Sequence, residues 1–322
     1  MKYQSIFIHN KPSSENTTFR TFLFHDCVHM GRMLRVFMCV FLFTYACNAW
    51  AESSVWKVQK NGHTLYLAGT SHVLRDQDFP LPAEFDIAYQ AADHLIFETD
   101  IGAMEQADTQ RKLMEAAIYQ DGSTLKDHLS EKSWKMLEAY CNKNGIPLGM
   151  LATLRPSMAT TVLLIQKLTQ LGVGEQGVDQ FYYAKAMKDG KTTGALESVE
   201  TQIDILMHMG EGHENEFITY SLEDMNTIEQ DFTMLVNAWR SGNTQGLEKM
   251  MLKNLTVMPD LYQTMLVDRN NSWLPIIEQH ANANQTTLVL VGAAHLVGKD
   301  GILQNMQRRG YKITQIKAPK GK

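Results

Sequence analysis

Residues 64–74 read TLYLAGTSHVL, and residues 287–297 read TLVLVGAAHLV. Thr, Leu, Leu, Gly and His coincide, five of the eleven positions. Each copy is an apolar run, then a glycine, two small residues and a histidine. A short apolar run rich in branched residues is the pattern of a strand buried on both faces, as in parallel sheets. Gly69 and Gly292 end the runs, where a chain turning out of a strand needs either positive φ or close backbone approach. The two units stand about 220 positions apart. One sheet, fed by both ends of the chain, accounts for them.

The flanking sequence agrees. Val55 to Lys60 and Thr64 to Ala68 read as strands joined by Asn61-Gly62, a strong hairpin signal. Pro82 to Ala92 has helical spacing, and His94 to Phe97 is a short buried strand ending at Glu98. Met104 to Ile118 and Glu131 to Asn144 read as helices, the second stopped by Gly145 with Pro147 beyond. The middle, from about 148 to 285, is mostly helical. Met158 to Leu171 follows Arg155-Pro156, and Val178 to Lys188 follows Gly172 and Gly174. Thr192 to Leu196 reads as a strand ending at Glu197. Further helices break near Gly210-Glu211-Gly212, Ser241-Gly242-Asn243 and Pro259. Thr287 to Val291, Gly301 to Arg309 and Lys312 to Ile316 then read as strand, helix and strand. This order predicts the α/β (α+β) class: a single domain over 52–322, its central sheet closed by N- and C-terminal strands around a large helical insert.

Four polar residues arrive just after apolar runs: His72, Glu98, Glu197 and His295. Ligands of open α/β sheets bind beyond the carboxyl ends of the strands. If these strands are parallel neighbours, the four side chains meet on one rim. A lone His or Glu at such a place is ordinarily a capping or salt-bridged residue. The duplicated Gly-x-x-His unit is what points beyond that. Two imidazoles with a carboxylate suit a divalent transition metal with open positions. Such a metal polarises a carbonyl and lowers the pKa of a bound water, and a second carboxylate can take the proton. No HExxH, P-loop, GxGxxG or GxSxG motif offers a rival centre.

Arg155 is a candidate for a substrate carboxylate, or simply a partner for an acidic residue, and Arg269-Asn270 could likewise hold a carboxylate or a backbone group. His208 and His213 flank a glycine-rich stretch that reads as a loop. Cys141 sits among apolar neighbours in a helix, and the nineteen Met residues read as core filler.

The start of the chain does not read as fold. Arg32 and Arg35 precede an apolar stretch from Val36 to Ala46, followed by Ala49-Trp50-Ala51, an A-x-A cleavage site. That layout is a secretory signal peptide at about 30–51, behind an N-terminal extension. The apolar part falls short of the ~20 residues of a membrane span. The expected location is therefore periplasmic or secreted with no stable span after cleavage; an uncleaved signal acting as membrane anchor is the alternative. Removing 1–51 leaves 25 basic and 33 acidic residues, a net charge of −8. A chain this acidic, without a basic block, excludes nucleic acid as a partner. Cys141 is the one cysteine left, so no intramolecular disulfide can form.

Six segments carry a family resemblance: LAGTSHVL (67–74), LIFETD (95–100), LRPSMAT (154–160), EQGVDQFYYAKAMKDGKTTGALESVETQ (175–202), DRNNSW (268–273) and VGAAHLVGKDGILQNMQRRGYKI (291–313). In this order they resemble the TraB/GumN family, relatives of the Tiki proteases. The resemblance implies a fold related to the erythromycin-esterase and ChaN-like group. It also implies a site of two GxxH motifs, Gly69 to His72 and Gly292 to His295, with Glu98. By the same resemblance Glu197, Arg269 and Asn270 are further site or supporting residues. Ser157 stands where the family usually has an aromatic. The Tiki branch is a metal-dependent peptidase group supported by manganese or cobalt.

The expectation is an exported metal-dependent hydrolase acting on a peptide or protein. Its divalent ion (Mn, Co or Zn) is held by His72, His295 and Glu98. The alternative is a non-catalytic envelope protein of the same fold that binds haem, a metal or a peptide.

Overall fold

Strand β5 (Thr287–Gly292) is buried at every residue, as its uninterrupted apolar run requires. The computed structural model describes residues 52–318 apart from 175, 256 and 257. In it, β5 lies between β3 (His94–Phe97) and β2 (His63–Thr70) and runs parallel to both. Strand β4 (Thr192–Ala195) continues the parallel set beside β3. Strand β1 (Glu52–Lys60) runs antiparallel to β2 and to β6 (Lys312–Lys317), giving the order β4-β3-β5-β2-β1-β6. The α/β class read from the sequence is the one observed. The last strand pairs with the first, so both ends of the chain complete the sheet.

The hairpin between β1 and β2 turns at Asn61 (φ 52°) and Gly62 (φ 86°). Both central residues have positive φ, which Asn-Gly tolerates and most pairs do not.

Alternation along the strands builds two cores. Leu288 and Leu290 of β5, Leu95 and Phe97 of β3 and Ala68 of β2 pack with Phe85, Tyr182 and Trp239. These last three come from helices Ala83–Ala91, Val178–Asp189 and Ile228–Arg240. Val289, Val291, Ile96, Leu65 and Leu67 face the other way, onto Trp273, Ile277, Ile302 and Met306 of helices Arg269–Ala281 and Ile302–Arg308. The sheet is thus covered on both faces, as a parallel sheet must be. The insert carries a third core, in which Leu137, Cys141, Leu163 and Ile218 join helices Glu131–Asn144, Pro156–Gln170 and Glu214–Asp224.

Some expectations shift. The helix read over 104–118 is two pieces, Ile101–Met104 and Ala107–Ala116. Asp100 caps the first through the Ala103 N–H, and Gln106 between them is extended (φ −68°, ψ 142°). The run before Pro259 breaks once more, between Glu214–Asp224 and Ile228–Arg240. A π-helical segment, Gln263–Asp268, leads into Arg269. The signal segment at 30–51 lies outside the described residues. Among those described, no helix is long and apolar enough to cross a membrane.

Candidate functional site

Because β2, β5, β3 and β4 are parallel neighbours, their carboxyl ends share one rim. His72 follows β2, Glu98 follows β3, Glu197 follows β4, and His295 sits on a helical turn, Ala293–Leu296, directly after β5. The rim therefore gathers the four residues that the sequence placed at strand ends.

Glu98 is the hub, its side chain 7% exposed. Oε1 accepts the Gly292 N–H at 2.7 Å, and Oε2 accepts Arg269 Nη2 at 2.7 Å. His295 Nε2 lies 3.9 Å and His72 Nε2 4.0 Å from the same Oε1. Gly292 allows this crowding. Its φ is −49°, so freedom of conformation is not the reason for glycine there. A Cβ at that position would stand 3.2 Å from Glu98 Oε1 and 3.3 Å from His72 Nε2. Gly69 is likewise a close-approach glycine, with Ala293 Cβ 3.1 Å from where its own Cβ would be.

Both rings are aimed from behind. His295 Nδ1 stands 2.8 Å from Asn270 Oδ1. The Asn270 amide donates to the carbonyls of His295 and Asp300 at 3.3 and 3.0 Å, which fixes Oδ1 as an acceptor. Nδ1 of His295 must then carry the hydrogen, leaving the Nε2 lone pair toward the site. Arg269 Nη1 donates to that nitrogen at 3.2 Å. His72 Nδ1 lies 2.9 Å from Asp179 Oδ2, which again assigns the hydrogen to Nδ1 and turns Nε2 inward. Asp179 was not singled out from the sequence. It is the second residue of helix Val178–Asp189, where an acid reads as a helix-terminus charge. Its reach to His72 depends on Gly177, whose Cβ would meet the backbone O of His72 at 2.1 Å.

Electrostatics follow the contacts. Burial drives the His295 imidazole well below its ordinary value, and the Glu98 charge does not offset it, so the ring is neutral. Burial would raise Glu98, but the positive charges of His72 and Arg269 and the Gly292 N–H outweigh it and hold the carboxyl well below the usual range. Asp179 pushes His72, whose side chain is 59% exposed, up to about 9 against the opposing effects of partial desolvation and Arg269.

Arg269, 7% exposed, ties the rim together. Besides Glu98 and His295 it holds both oxygens of Glu197, at 2.7 and 3.1 Å. Trp273 Nε1 gives Glu197 a third bond at 3.0 Å, and the Arg269 guanidinium lies 4.5 Å from the Trp273 ring centre. Glu197 is therefore fully engaged behind Arg269, a setting for orientation more than for proton transfer. Arg155 lies apart from the group. It lines a separate 230 Å³ cavity and stacks 5.2 Å from the Tyr119 ring centre. His208 and His213 pair with surface acids. Cys141 is buried, and burial raises its thiol pKa.

Two cavities meet at the centre, of 440 and 350 Å³, and His72, Glu98, Met265 and Arg269 line both. Among the described residues no three His, Cys, Asp or Glu side chains stand arranged as a finished metal site. Donors on one ion with bonds of ~2.0–2.2 Å sit roughly 3–3.5 Å apart. The gaps of 3.9 and 4.0 Å to Glu98 Oε1 are wider by about half an ångström.

An α/β sheet with paired Gly-x-x-His units, a buried glutamate and an arginine at one rim defines the class of protein. The sequence model of the TraB/PrgY/gumN family matches residues 54–315, and the chain belongs to that family. It is also similar to a protein of Nematostella vectensis named Metalloprotease TIKI homolog. The two are 22% identical over 322 residues, which is 83% of this chain and 67% of the relative. No solved structure matches the chain.

Proposed function

We propose that this protein is an exported, metal-dependent hydrolase that cleaves peptide bonds at the His72–Glu98–His295 rim. One observation carries the reading. Two imidazoles from opposite ends of the chain turn Nε2 toward a single carboxylate oxygen, each with Nδ1 anchored by a side chain behind it. That anchoring is characteristic of metal-binding histidines, where the outer partner fixes tautomer and ring orientation. The donor set fits a divalent ion in type: His72, His295 and Glu98 would hold it, with His72 giving up the Nε2 proton that its raised pKa otherwise keeps there. Charge agrees, since Glu98, Glu197 and Asp179 face one permanent cation, Arg269. The metalloprotease name of the Nematostella relative supports peptide hydrolysis. Export rests on the segment at 30–51.

A bound ion would polarise a carbonyl and make an attacking water more acidic. The chain's own residues do the rest. Asp179 and Asn270 hold the imidazoles on axis. Glu197 and Trp273 hold Arg269, and Arg269 holds Glu98. The Arg269 guanidinium lines both cavities, and its charge favours a negatively charged group there, although its N–H donors are already spent on Glu98, Glu197, His295 and the Met265 carbonyl.

The test is His72→Ala and His295→Ala, assayed for metal content and peptide hydrolysis. Both variants lose bound metal and lose cleavage by about a hundredfold or more. Wild-type levels of both would end the reading. A second reading has one observation in its favour. Arg269 Nη1 already occupies the His295 lone pair, which suits a rim that captures peptides without cutting them. Peptide binding indifferent to chelator, with no cleavage under any divalent ion, would select it.

A further inference from the structure

The two cavities that meet at the rim differ in character. The 350 Å³ cavity is walled by Leu168, Ile228, Phe232, Leu235, Trp239 and Met251. The 440 Å³ cavity on the other side mixes Ile101, Met104 and Leu206 with Thr99, Gln180 and Gln202. Each is within the size range of sites that bind small ligands. They share His72, Glu98, Met265 and Arg269, so the polar centre borders both.

We infer that the apolar cavity is the specificity pocket: it takes one bulky apolar side chain of a peptide, beside the bond presented to the rim. This rests on the reading that the substrate is a peptide. Its walls come from helices Pro156–Gln170, Ile228–Arg240 and Thr244–Leu255, and no ionised side chain enters except those of the centre. A charged or small residue there loses solvation or leaves apolar walls wet, whereas Leu, Phe or Met buries its whole surface. The cavity is also firmly built. Trp239 donates from Nε1 to the Gly69 carbonyl at 2.7 Å, and Ser54 Oγ donates to the Trp239 carbonyl at 2.8 Å. A wall pinned to the end of β2 keeps its shape when empty, so the pocket selects by size. The occupant is a peptide side chain and not a lipid acyl chain because the centre has a cavity on each side. A polymer laid across the centre, advancing ~3.3 Å per residue with side chains to alternate faces, uses both. An acyl chain uses one and leaves the mixed cavity without a role.

The experiment is calorimetric binding of blocked pentapeptides in which a single Leu is scanned through an alanine background. The protein is used as wild type and as Ile228→Trp and Leu235→Trp, which fill the cavity from different positions on its wall. One Leu position binds wild type about tenfold or more tighter than the all-alanine peptide. That preference disappears in the Trp variants. Tryptophan fluorescence shifts with the Leu peptide and not with the alanine peptide, and the shift is lost in Trp239→Phe while Trp273 is left in place. Equal binding of all peptides by wild type, or a preference that survives in both folded variants, overturns the pocket. Laurate that binds more tightly than the Leu peptide and is lost with Ile228→Trp overturns the occupant. A Leu preference with no cleavage upholds the pocket and removes the hydrolytic reading instead.

Discussion

At the scale of single residues, the rim separates groups that face the cavities from groups that aim them. Asn270 is 2% exposed and bonds three ways, to His295 Nδ1 and to the carbonyls of His295 and Asp300. Asn270→Ala leaves the imidazole in place without its anchor. Metal affinity and kcat/KM then fall about 10- to 100-fold, and stability falls by ~1–3 kcal/mol for the buried partners left unpaired. Asn270→Asp keeps an acceptor for Nδ1 and recovers the metal affinity in part. Equal losses in both variants, measured by metal titration and thermal melts, would mean that Asn270 only fills space. Sequence reading reached His72, His295 and Glu98 because each follows a recognisable apolar run. It missed Asp179 because contact across 107 positions leaves no mark on local pattern. It reached Glu197 by position but not its setting, since the Arg269 and Trp273 contacts come from a helix whose facing is decided by packing.

At the scale of elements, two features set the rim. The π-helical segment Gln263–Asp268 runs directly into Arg269. Met265 and Arg269, four apart and so on one face, both line the two cavities, and π-helical segments recur at functional sites. Nothing in the composition of Gln263 to Asp268 distinguishes it from an ordinary helix, so this was not legible. The other feature ties the segment after His72 to helix Ile228–Arg240. Asp78 accepts Arg75 Nε at 2.9 Å, Arg75 Nη1 donates to Thr233 Oγ1 at 3.2 Å, and Arg240 Nη1 donates to the Asp78 carbonyl. Burial alone would raise the Asp78 carboxyl. The bonds from Arg75 and the charges of Arg75 and Arg240 win, and its pKa is lowered from 3.8. A carboxyl lowered on folding contributes stability that is fully present above its unfolded value and is lost as pH falls through the folded one. Asp78→Asn therefore costs ~1–3 kcal/mol at pH 7, and the gap to wild type begins to narrow as pH falls below about 4. Urea unfolding at pH 7, 5 and 3 measures it, and a gap independent of pH would exclude the ion pair as the source.

At the scale of the whole molecule, the cores of the sheet and of the insert divide the labour between fold and site. Strand β5 packs Leu290 into one face of the sheet and sends Gly292 and His295 to the rim. The insert's core around Leu137 and Cys141 contributes no residue to either cavity of the centre. The burial of β5 was legible in its apolar run and that of Cys141 in its apolar neighbours, but the separation of the two cores was not. Hydrophobic periodicity says that a face is covered and not which partner covers it. The separation has a measurable consequence. Leu290→Ala and Leu137→Ala each empty a fully buried site, and each costs ~2–5 kcal/mol. Leu290→Ala also lets β5 relax beneath Gly292, whose N–H holds Glu98 Oε1 at 2.7 Å. A misplacement of ~1 Å at reacting groups is worth about a hundredfold in rate. Peptide hydrolysis measured well below both melting points falls in Leu290→Ala and stays near wild type in Leu137→Ala. Equal activity losses in the two variants would show that the insert and the sheet move as one, and that the rim depends on global rigidity instead of on the strand that carries it.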